Sequence, residues 1–312
     1  MKPSVDLELL WLVAGIVAVL AAASLIGWLM QRRQPDSATV SNLNARIRAW
    51  WAMVVVFTVA IATAPYGSLV MFALVSFMAM REFAALLPAR RADHRAMFLA
   101  FFVFLPLQYL LVGINWYGLF ALLIPVYAYL LLPLRQALSG DTQDFLARTS
   151  MLQWMLMITV FCVSHAPALL MLDIEGYAGQ NAKLLLFLVL VTEMSDVLQY
   201  VFGKLFGKRH IVAKLSPGKT LEGYAGGGLS AVALGAALWW ATPFSPWQAA
   251  AFALLIVIAG ISGGLVMSAV KRDRGVKDFG TAIEGHGGVL DRIDSLCFAA
   301  PLFFHVTRFF FA

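Results

Sequence analysis

Charged side chains are scarce in this sequence. Aspartate, glutamate, lysine and arginine together make up only 13% of its 312 residues, whereas hydrophobic residues make up 61%. A soluble domain carries roughly a quarter charged residues, so this composition excludes an ordinary soluble protein. The apolar excess can be buried only in lipid, and it predicts an integral membrane protein.

Cysteine is also scarce. The only two, Cys162 and Cys297, both fall within long apolar stretches. This placement argues against a disulfide framework and against a cysteine-based metal site. The first apolar stretch, residues 9–30, is too long for the core of a signal peptide and is followed by no small-residue cleavage pattern. We therefore expect it to remain in the mature protein.

Long apolar stretches recur along the whole chain. A spanning helix requires about 20 mainly apolar residues, and about ten stretches approach this length, although several are short or interrupted by proline. They lie at residues 9–30, 50–65, 67–87, 96–113, 116–134, 151–172, 183–202, 224–242, 247–269 and 295–311. The predicted fold class is all-α, a polytopic integral membrane helical bundle of about 9–10 transmembrane helices.

The distribution of positive charge predicts the orientation. The net charge is +6, but the basic residues stand at the ends of apolar stretches, which argues against nucleic acid as a partner. If the N-terminus is external, only Lys2, Lys183 and Arg308 among the 23 lysines and arginines lie outside. The positive-inside rule then predicts a multi-pass protein of the inner (cytoplasmic) membrane, with its basic loops facing the cytoplasm.

Polar residues are concentrated in the C-terminal part of the chain. We predict an N-terminal transmembrane bundle of about six helices over residues 1–178, and a catalytic region over residues 179–312 with cytoplasmic loops 203–223 and 270–294. In the N-terminal part, residues 32–48 have the composition of a solvated linker with affinity for anionic lipid. Arg81 and Glu82 are interpreted as an interfacial anchor.

The loop 203–223 combines lysine and arginine with glycine and proline. Positive charge alone is the default for an inner loop. The turn Ser216-Pro217-Gly218-Lys219-Thr220, however, can direct backbone N–H groups to one point, and together with Lys219 it predicts a phosphate cradle. It is not a Walker A loop, because Ala213 stands where the first glycine is required and Pro217 lacks an N–H group.

Carboxylates inside the apolar stretches are a second signal. Glu193 and Asp196 share one face of a predicted spanning helix with Tyr200. An ionised carboxylate at the centre of such a helix costs about 2.5–3.5 kcal/mol, so these acids are functional candidates. Asp291 and Asp294 likewise share one face at the start of the last span.

The helix dipole accounts for acids at the start of a helix. It does not account for Asp278, His286 and the glycines of the second loop, residues 270–294. Carboxylates beside many cations suit Mg²⁺ that bridges a polyphosphate.

The second loop carries an extended motif. Its residues are Ser268, Lys271, Arg272, Lys277, Asp278, Gly285, His286, Gly287, Gly288, Asp291, Arg292 and Asp294. This motif resembles the signature of the phosphatidate cytidylyltransferases, also called CDP-diacylglycerol synthases. An upstream block, formed by Phe202-Gly203-Lys204, Lys214, residues 216–220 and Glu222-Gly223, is similar to another loop of that family. The resemblance covers roughly residues 190–310.

The resemblance implies transfer of CMP from CTP to phosphatidic acid or a related lipid phosphate, with CDP-diacylglycerol and pyrophosphate as products. It implies Mg²⁺ as cofactor, K⁺ as a second cation that could share the site, and a homodimer as a candidate assembly. Asp196, Asp291 and Asp294 would hold metal, and Asp278 would join them as a catalytic carboxylate. The implied CTP- or phosphate-binding residues are Ser216, Lys219, Thr220, Lys271, Arg272, Lys277, His286 and Arg292.

Three positions depart from the family pattern. Asp196 is followed by residues 197–200 in place of the usual small residues, Glu284 replaces a proline, and Gly264 replaces an aspartate that is a metal ligand. Loss of a metal ligand could cost on the order of a thousandfold in rate, unless Glu193 or Asp196 compensates. Two alternatives stay open: a non-catalytic lipid-binding paralogue, and a proton-coupled transporter with Glu193 and Asp196 as its relay.

Overall fold

The structure is a computed structural model that describes residues 7–88, 90–283 and 287–312. In these ranges the chain forms helices and no strand; its β-type pairing is confined to isolated bridges. Ten long helices follow one another: α1 (Leu7–Arg33), α2 (Ala38–Ala62), α3 (Tyr66–Ala84), α4 (Arg91–Gly113), α5 (Tyr117–Ala137), α6 (Phe145–Met171), α7 (Asn181–Phe206), α8 (Leu221–Ala237), α9 (Pro246–Asp273) and α10 (Leu290–Phe311).

Nine of these described helices are long and apolar enough to cross a membrane. The exception is α8, which has only 17 residues. The predicted fold class, an all-α polytopic bundle of about 9–10 spans, is therefore confirmed.

The prediction of a solvated linker over residues 32–48 is wrong for most of that segment. α2 begins at Ala38, and the hydroxyl of Ser37 accepts the N–H of Val40 at 3.5 Å as a helix cap. The side-chain nitrogen of Asn44 donates to the side-chain oxygen of Gln31 at 3.1 Å. These polar side chains pair across the α1–α2 hairpin, so their polarity does not indicate a loop.

A buried ion pair ties together the helices of the N-terminal part. Arg148 of α6 donates to both carboxylate oxygens of Asp93 on α4, at 2.8 and 2.9 Å. Gln136 of α5 donates to the same carboxylate at 2.8 Å. Removing one member of a buried pair costs about 3–5 kcal/mol, so this network fixes the ends of α4, α5 and α6 against each other.

Glycine contacts bring the four C-terminal helices close together. A Cβ atom at Gly227 of α8 would lie 2.3 Å from the backbone nitrogen of Gln199 on α7. A Cβ atom at Gly263 of α9 would lie 2.6 Å from the carbonyl oxygen of Asp294 on α10. Small residues let helix backbones approach in this way. They place α7 and α10 on either side of the candidate site.

Candidate functional site

The site lies at the basic end of the bundle, where α7 and α9 finish and α8 and α10 begin. The connection between α7 and α8 closes on itself. The N–H of Leu221 donates to the carbonyl of Arg209 at 2.8 Å. The carboxylate of Glu222 accepts the N–H groups of Lys208 and Arg209 at 2.9 and 3.1 Å. The loop is therefore a folded structure rather than a loose tether.

The predicted Ser216–Thr220 turn is present in this loop. The N–H of Lys219 donates to the carbonyl of Ser216 at 3.2 Å. Thr220 is buried, and its hydroxyl accepts the N–H of Gly223 at 3.2 Å as the N-cap of α8. The hydroxyl of Thr220 thus has a structural role at the start of α8, while the turn directs Lys219 into the bundle.

Lys219 reaches across to α9. Its ammonium nitrogen lies 2.8 Å from the position of a Cβ atom at Gly264, and the hydroxyl oxygen of Ser295 lies 3.6 Å from the same position. Within the described ranges the ammonium group of Lys219 forms no hydrogen bond or ion pair, although the charges of Asp294 and Asp196 act on it. Burial lowers the pKa of Lys219; Lys271 adds to this effect, and Asp294 and Asp196 oppose it.

Two carboxylates meet next to this ammonium group. The hydroxyl of Ser295 on α10 donates to Asp196 on α7 at 2.8 Å. Asp294 accepts the N–H of Ser295 at 2.8 Å through one oxygen. Each carboxylate therefore keeps one oxygen without a hydrogen bond to the described residues. Asp196 is exposed although it belongs to a spanning helix. A ligand can therefore reach Asp196 and Asp294, which we call the inner pair.

Asp291 lies in a different environment. One oxygen pairs with the ammonium of Lys271 at 2.8 Å. The other accepts the N–H groups of Phe279 and Gly288 at 2.8 and 3.0 Å. The carboxylate is buried and is fully engaged by these partners. In this structure it organises the second loop, and its predicted role as a metal ligand stays a prediction.

Asp278 is next to Asp291. A Cβ atom at Gly287 would lie 3.0 Å from an oxygen of Asp291 and 3.4 Å from the carboxyl carbon of Asp278. Gly287 also has a φ of +83°, a conformation that favours glycine. Because Gly287 has no side chain, it leaves room for the carboxylates of Asp278 and Asp291, which we call the outer pair. Asp278 itself is exposed.

Glu82 of α3 holds the start of α10. Its two carboxylate oxygens accept the N–H groups of Val289 and Leu290, each at 2.9 Å. A negative charge at a helix N-terminus is stabilising. The interpretation of Glu82 as an interfacial anchor missed this contact, because the sequence does not show which helix start lies next to α3.

Two further polar atoms face the inner pair without partners. The Nε atom of Arg292 and the hydroxyl of Tyr224 are buried and form no hydrogen bond to any described residue. The charge of Arg292 acts on Asp196 and Asp294, but it forms no ion pair with either. Lys219 and Arg292 thus act on Asp196 and Asp294 without forming an ion pair with either.

Two further predicted residues, Arg272 and Lys277, lie at the surface of the protein. Arg272 donates to the carbonyls of Leu215 at 3.3 Å and Val276 at 3.1 Å, so it joins the two loops. Lys277 is exposed. His286 lies outside the described residues. The structure therefore brings Lys219, Lys271 and Arg292 toward the carboxylates and leaves Lys277 at the surface.

Sequence reasoning missed Tyr224 and the contact of Glu82. Tyr224 follows the motif Thr220 to Gly223, one turn into α8, so its place in the upstream block was a signal that could have drawn attention to it. For Glu82 no signal in the sequence points to α10. Both depend on the way in which distant helices cross.

The inner pair fits Mg²⁺ that is held mainly by a ligand's phosphates. In the part of the chain that the structure describes, no group of three or more histidine, cysteine, aspartate and glutamate side chains forms a metal cage. Mg²⁺ usually keeps waters and takes one or two protein carboxylates together with substrate phosphates. The free oxygens of Asp196 and Asp294 satisfy that requirement.

These features define a polytopic membrane protein with a polar, cation-lined site among its C-terminal helices. Its sequence matches the profile of a family described as the cytidylyltransferase family over residues 44–310. The match covers most of the chain and includes every described helix that contributes to the site. The protein therefore belongs to the cytidylyltransferase family.

Curated relatives fall into two groups. The Escherichia coli (strain K12) protein named "Uncharacterized protein YnbB" is 42% identical over 300 residues, which cover 95% of this chain and 97% of the relative. The phosphatidate cytidylyltransferase of Staphylococcus aureus (strain COL) is 36% identical over 126 residues, 40% of this chain and 48% of the relative. That of Staphylococcus haemolyticus is 38% identical over 120 residues, 38% of this chain and 46% of the relative. The chain matches about half the length of these staphylococcal enzymes.

Proposed function

We propose that this protein transfers CMP from CTP to the phosphate of phosphatidic acid or a related lipid phosphate, forming CDP-diacylglycerol and pyrophosphate. One observation carries the proposal: Lys219 and Arg292 face Asp196 and Asp294 without forming ion pairs. Cations that form no ion pair, beside carboxylates that each keep one oxygen free of hydrogen bonds to the described residues, suit a polyphosphate ligand. The match to enzymes named phosphatidate cytidylyltransferase supports the choice of nucleotide and lipid.

The reaction requires no strong general base, because a phosphate monoester is largely ionised at neutral pH. An oxygen of the lipid phosphate attacks the α-phosphorus of CTP, the bond from that phosphorus to the β-phosphate oxygen breaks, and pyrophosphate leaves. Lys219 and Arg292 bind phosphate oxygens and stabilise the charge that develops on them. Lys271 orients Asp291, which in turn holds the second loop.

Asp196 and Asp294 would hold Mg²⁺, which supplies charge neutralisation of the phosphates when it is bound. K⁺ is proposed as a second cation of the same site. We further propose that the basic end of the bundle faces the cytoplasm, where CTP is available, in the inner membrane. The exposed Asp196 lets the phosphate of a membrane lipid reach the site from the bilayer.

The proposal is tested with purified protein in lipid nanodiscs that contain phosphatidic acid. We expect pyrophosphate release that depends on CTP, on Mg²⁺ and on the lipid phosphate, and that is absent with diacylglycerol. Asp294→Asn should reduce the rate by about a hundredfold or more. Asp273→Asn, which neutralises an exposed aspartate at the end of α9, is the matched control and should retain most of the rate.

Absence of pyrophosphate release with any lipid phosphate would overturn the proposal. Binding of CTP or phosphatidic acid without turnover would identify a non-catalytic lipid-binding paralogue. Proton-coupled uptake that is lost on Glu193→Gln, in the absence of CTP chemistry, would identify a transporter.

A further inference from the structure

The hydroxyl group of Tyr224 is an unexplained feature of the site. Tyr224 lies on α8, one turn after its N-cap, and the ammonium nitrogen of Lys219 lies 5.9 Å from the centre of its ring. The hydroxyl oxygen is buried and has no hydrogen-bond partner among the described residues. A buried hydroxyl without a partner costs about 1–3 kcal/mol relative to a paired one, so a structural role does not account for it.

The groups around Tyr224 indicate what its partner would be. Among the described residues the ammonium group of Lys219 has no hydrogen-bond or ion-pair partner, and it lies over the Tyr224 ring. The charge of Asp196 also acts on Tyr224. A hydroxyl beside an ammonium group and an exposed carboxylate is suited to donate to an anionic oxygen brought in by a ligand.

We propose that Tyr224 contacts substrate, with its hydroxyl donating a hydrogen bond to a phosphate oxygen that Lys219 also binds. This inference rests on the proposed function for the identity of the phosphate, which belongs either to CTP or to the lipid. Its ring gives Lys219 a cation–π contact and helps to keep the ammonium over Gly264. Tyr224 would thus add a neutral donor to a site whose other donors are charged.

The chain contains a matched control. Tyr200 on α7 has the same relation to a lysine, because the ammonium nitrogen of Lys204 lies 6.0 Å from the centre of its ring. Tyr200, however, is 62% exposed. Tyr200→Phe therefore removes a hydroxyl from a similar tyrosine–lysine pair that has access to solvent.

Tyr224→Phe removes one oxygen and leaves the ring in place. We expect the KM for one substrate, CTP or phosphatidic acid, to rise about tenfold to a hundredfold, as is typical for a lost hydrogen bond to a charged group. The substrate whose KM rises identifies the phosphate. Thermal stability without ligand should be unchanged or higher, because an unpaired buried hydroxyl has been removed. Tyr200→Phe should change none of these quantities.

A second measurement does not depend on turnover. Inorganic pyrophosphate, CTP and phosphatidic acid are each tested for their effect on the melting temperature of the wild-type protein and of both variants. Stabilisation of the wild type that is at least halved in Tyr224→Phe supports the inference even if no turnover is found and the proposed function fails.

Three results would overturn the inference. The first is that Tyr224→Phe and the wild type have equal KM values and are stabilised equally by the ligands. The second is a lower melting temperature of Tyr224→Phe without ligand, and the third is that none of the three ligands stabilises the wild-type protein.

Discussion

The ammonium nitrogen of Lys219 lies 2.8 Å from the position that a Cβ atom would take at Gly264. A side chain at position 264 would therefore share its space with this lysine. The family that the sequence motif resembles has an aspartate at this position. In this protein a positive group from the neighbouring loop lies beside that position, and Asp196 and Asp294 remain as the carboxylates that face it.

Gly264→Asp tests the consequence of having glycine rather than aspartate at position 264. The new carboxylate would lie next to Lys219 and the inner pair, and a further negative ligand strengthens the binding of a divalent cation. We expect half-maximal activity at a Mg²⁺ concentration at least tenfold lower, with higher turnover. Gly264→Asn has nearly the same shape without the charge, so an equal effect of both substitutions would contradict the electrostatic explanation.

Lys219 should set the alkaline limit of activity. Burial is the main cause of its lowered pKa, Asp294 and Asp196 oppose this effect, and Lys271 adds to it. The protonated form binds phosphate, so kcat/KM for CTP should fall as the pH rises through a value below about 10.4, the ordinary pKa of lysine.

Lys219→Arg retains its charge at high pH. We expect this substitution to move the falling limb of the pH profile to higher pH, whereas Lys208→Arg at an exposed position should leave the limb unchanged. An unchanged limb in Lys219→Arg would show that another group titrates.

Asp291 and Asp294 should respond differently to neutralisation. Asp291→Asn removes the partner of Lys271 and an acceptor of two N–H groups, and breaking a buried pair costs about 3–5 kcal/mol. We expect a clearly lower melting temperature together with lower activity. Asp294→Asn should reduce Mg²⁺-dependent activity by about a hundredfold or more and leave the melting temperature close to that of the wild type. The opposite pattern would assign the structural role to Asp294.

Glu82 should matter for the site although it belongs to the N-terminal part of the chain. Glu82→Ala leaves the N–H groups of Val289 and Leu290 without their acceptor, which should cost about 1–3 kcal/mol. We expect a lower melting temperature and weaker binding of CTP, measured by equilibrium binding. The exposed neighbour Arg81 provides the control: if Arg81→Gln causes the same loss, the effect is not specific to the cap of α10.

Several residues of the candidate site could be selected from residue types and spacing. Asp196, Lys219 and Asp294 were identified because charged side chains in apolar stretches and glycine-rich loops are rare. Their mutual distances could not be predicted, because they belong to three segments that are far apart in sequence. The interpretation of residues 32–48 failed for a related reason: Asn44 pairs with Gln31 across a hairpin that the sequence does not show.

The sequence by itself determined the fold class, because the length and apolarity of a spanning helix are local properties of about 20 consecutive residues. Only the tertiary structure decided which carboxylates keep an oxygen open to a ligand. The close glycine contacts at Gly227 and Gly263 set how α7 to α10 cross, and this crossing engages both oxygens of Asp291 while it leaves one oxygen of Asp196 and one of Asp294 open. Side-chain partners depend on how the helices cross, and no pattern of neighbouring residues in the sequence predicts this crossing.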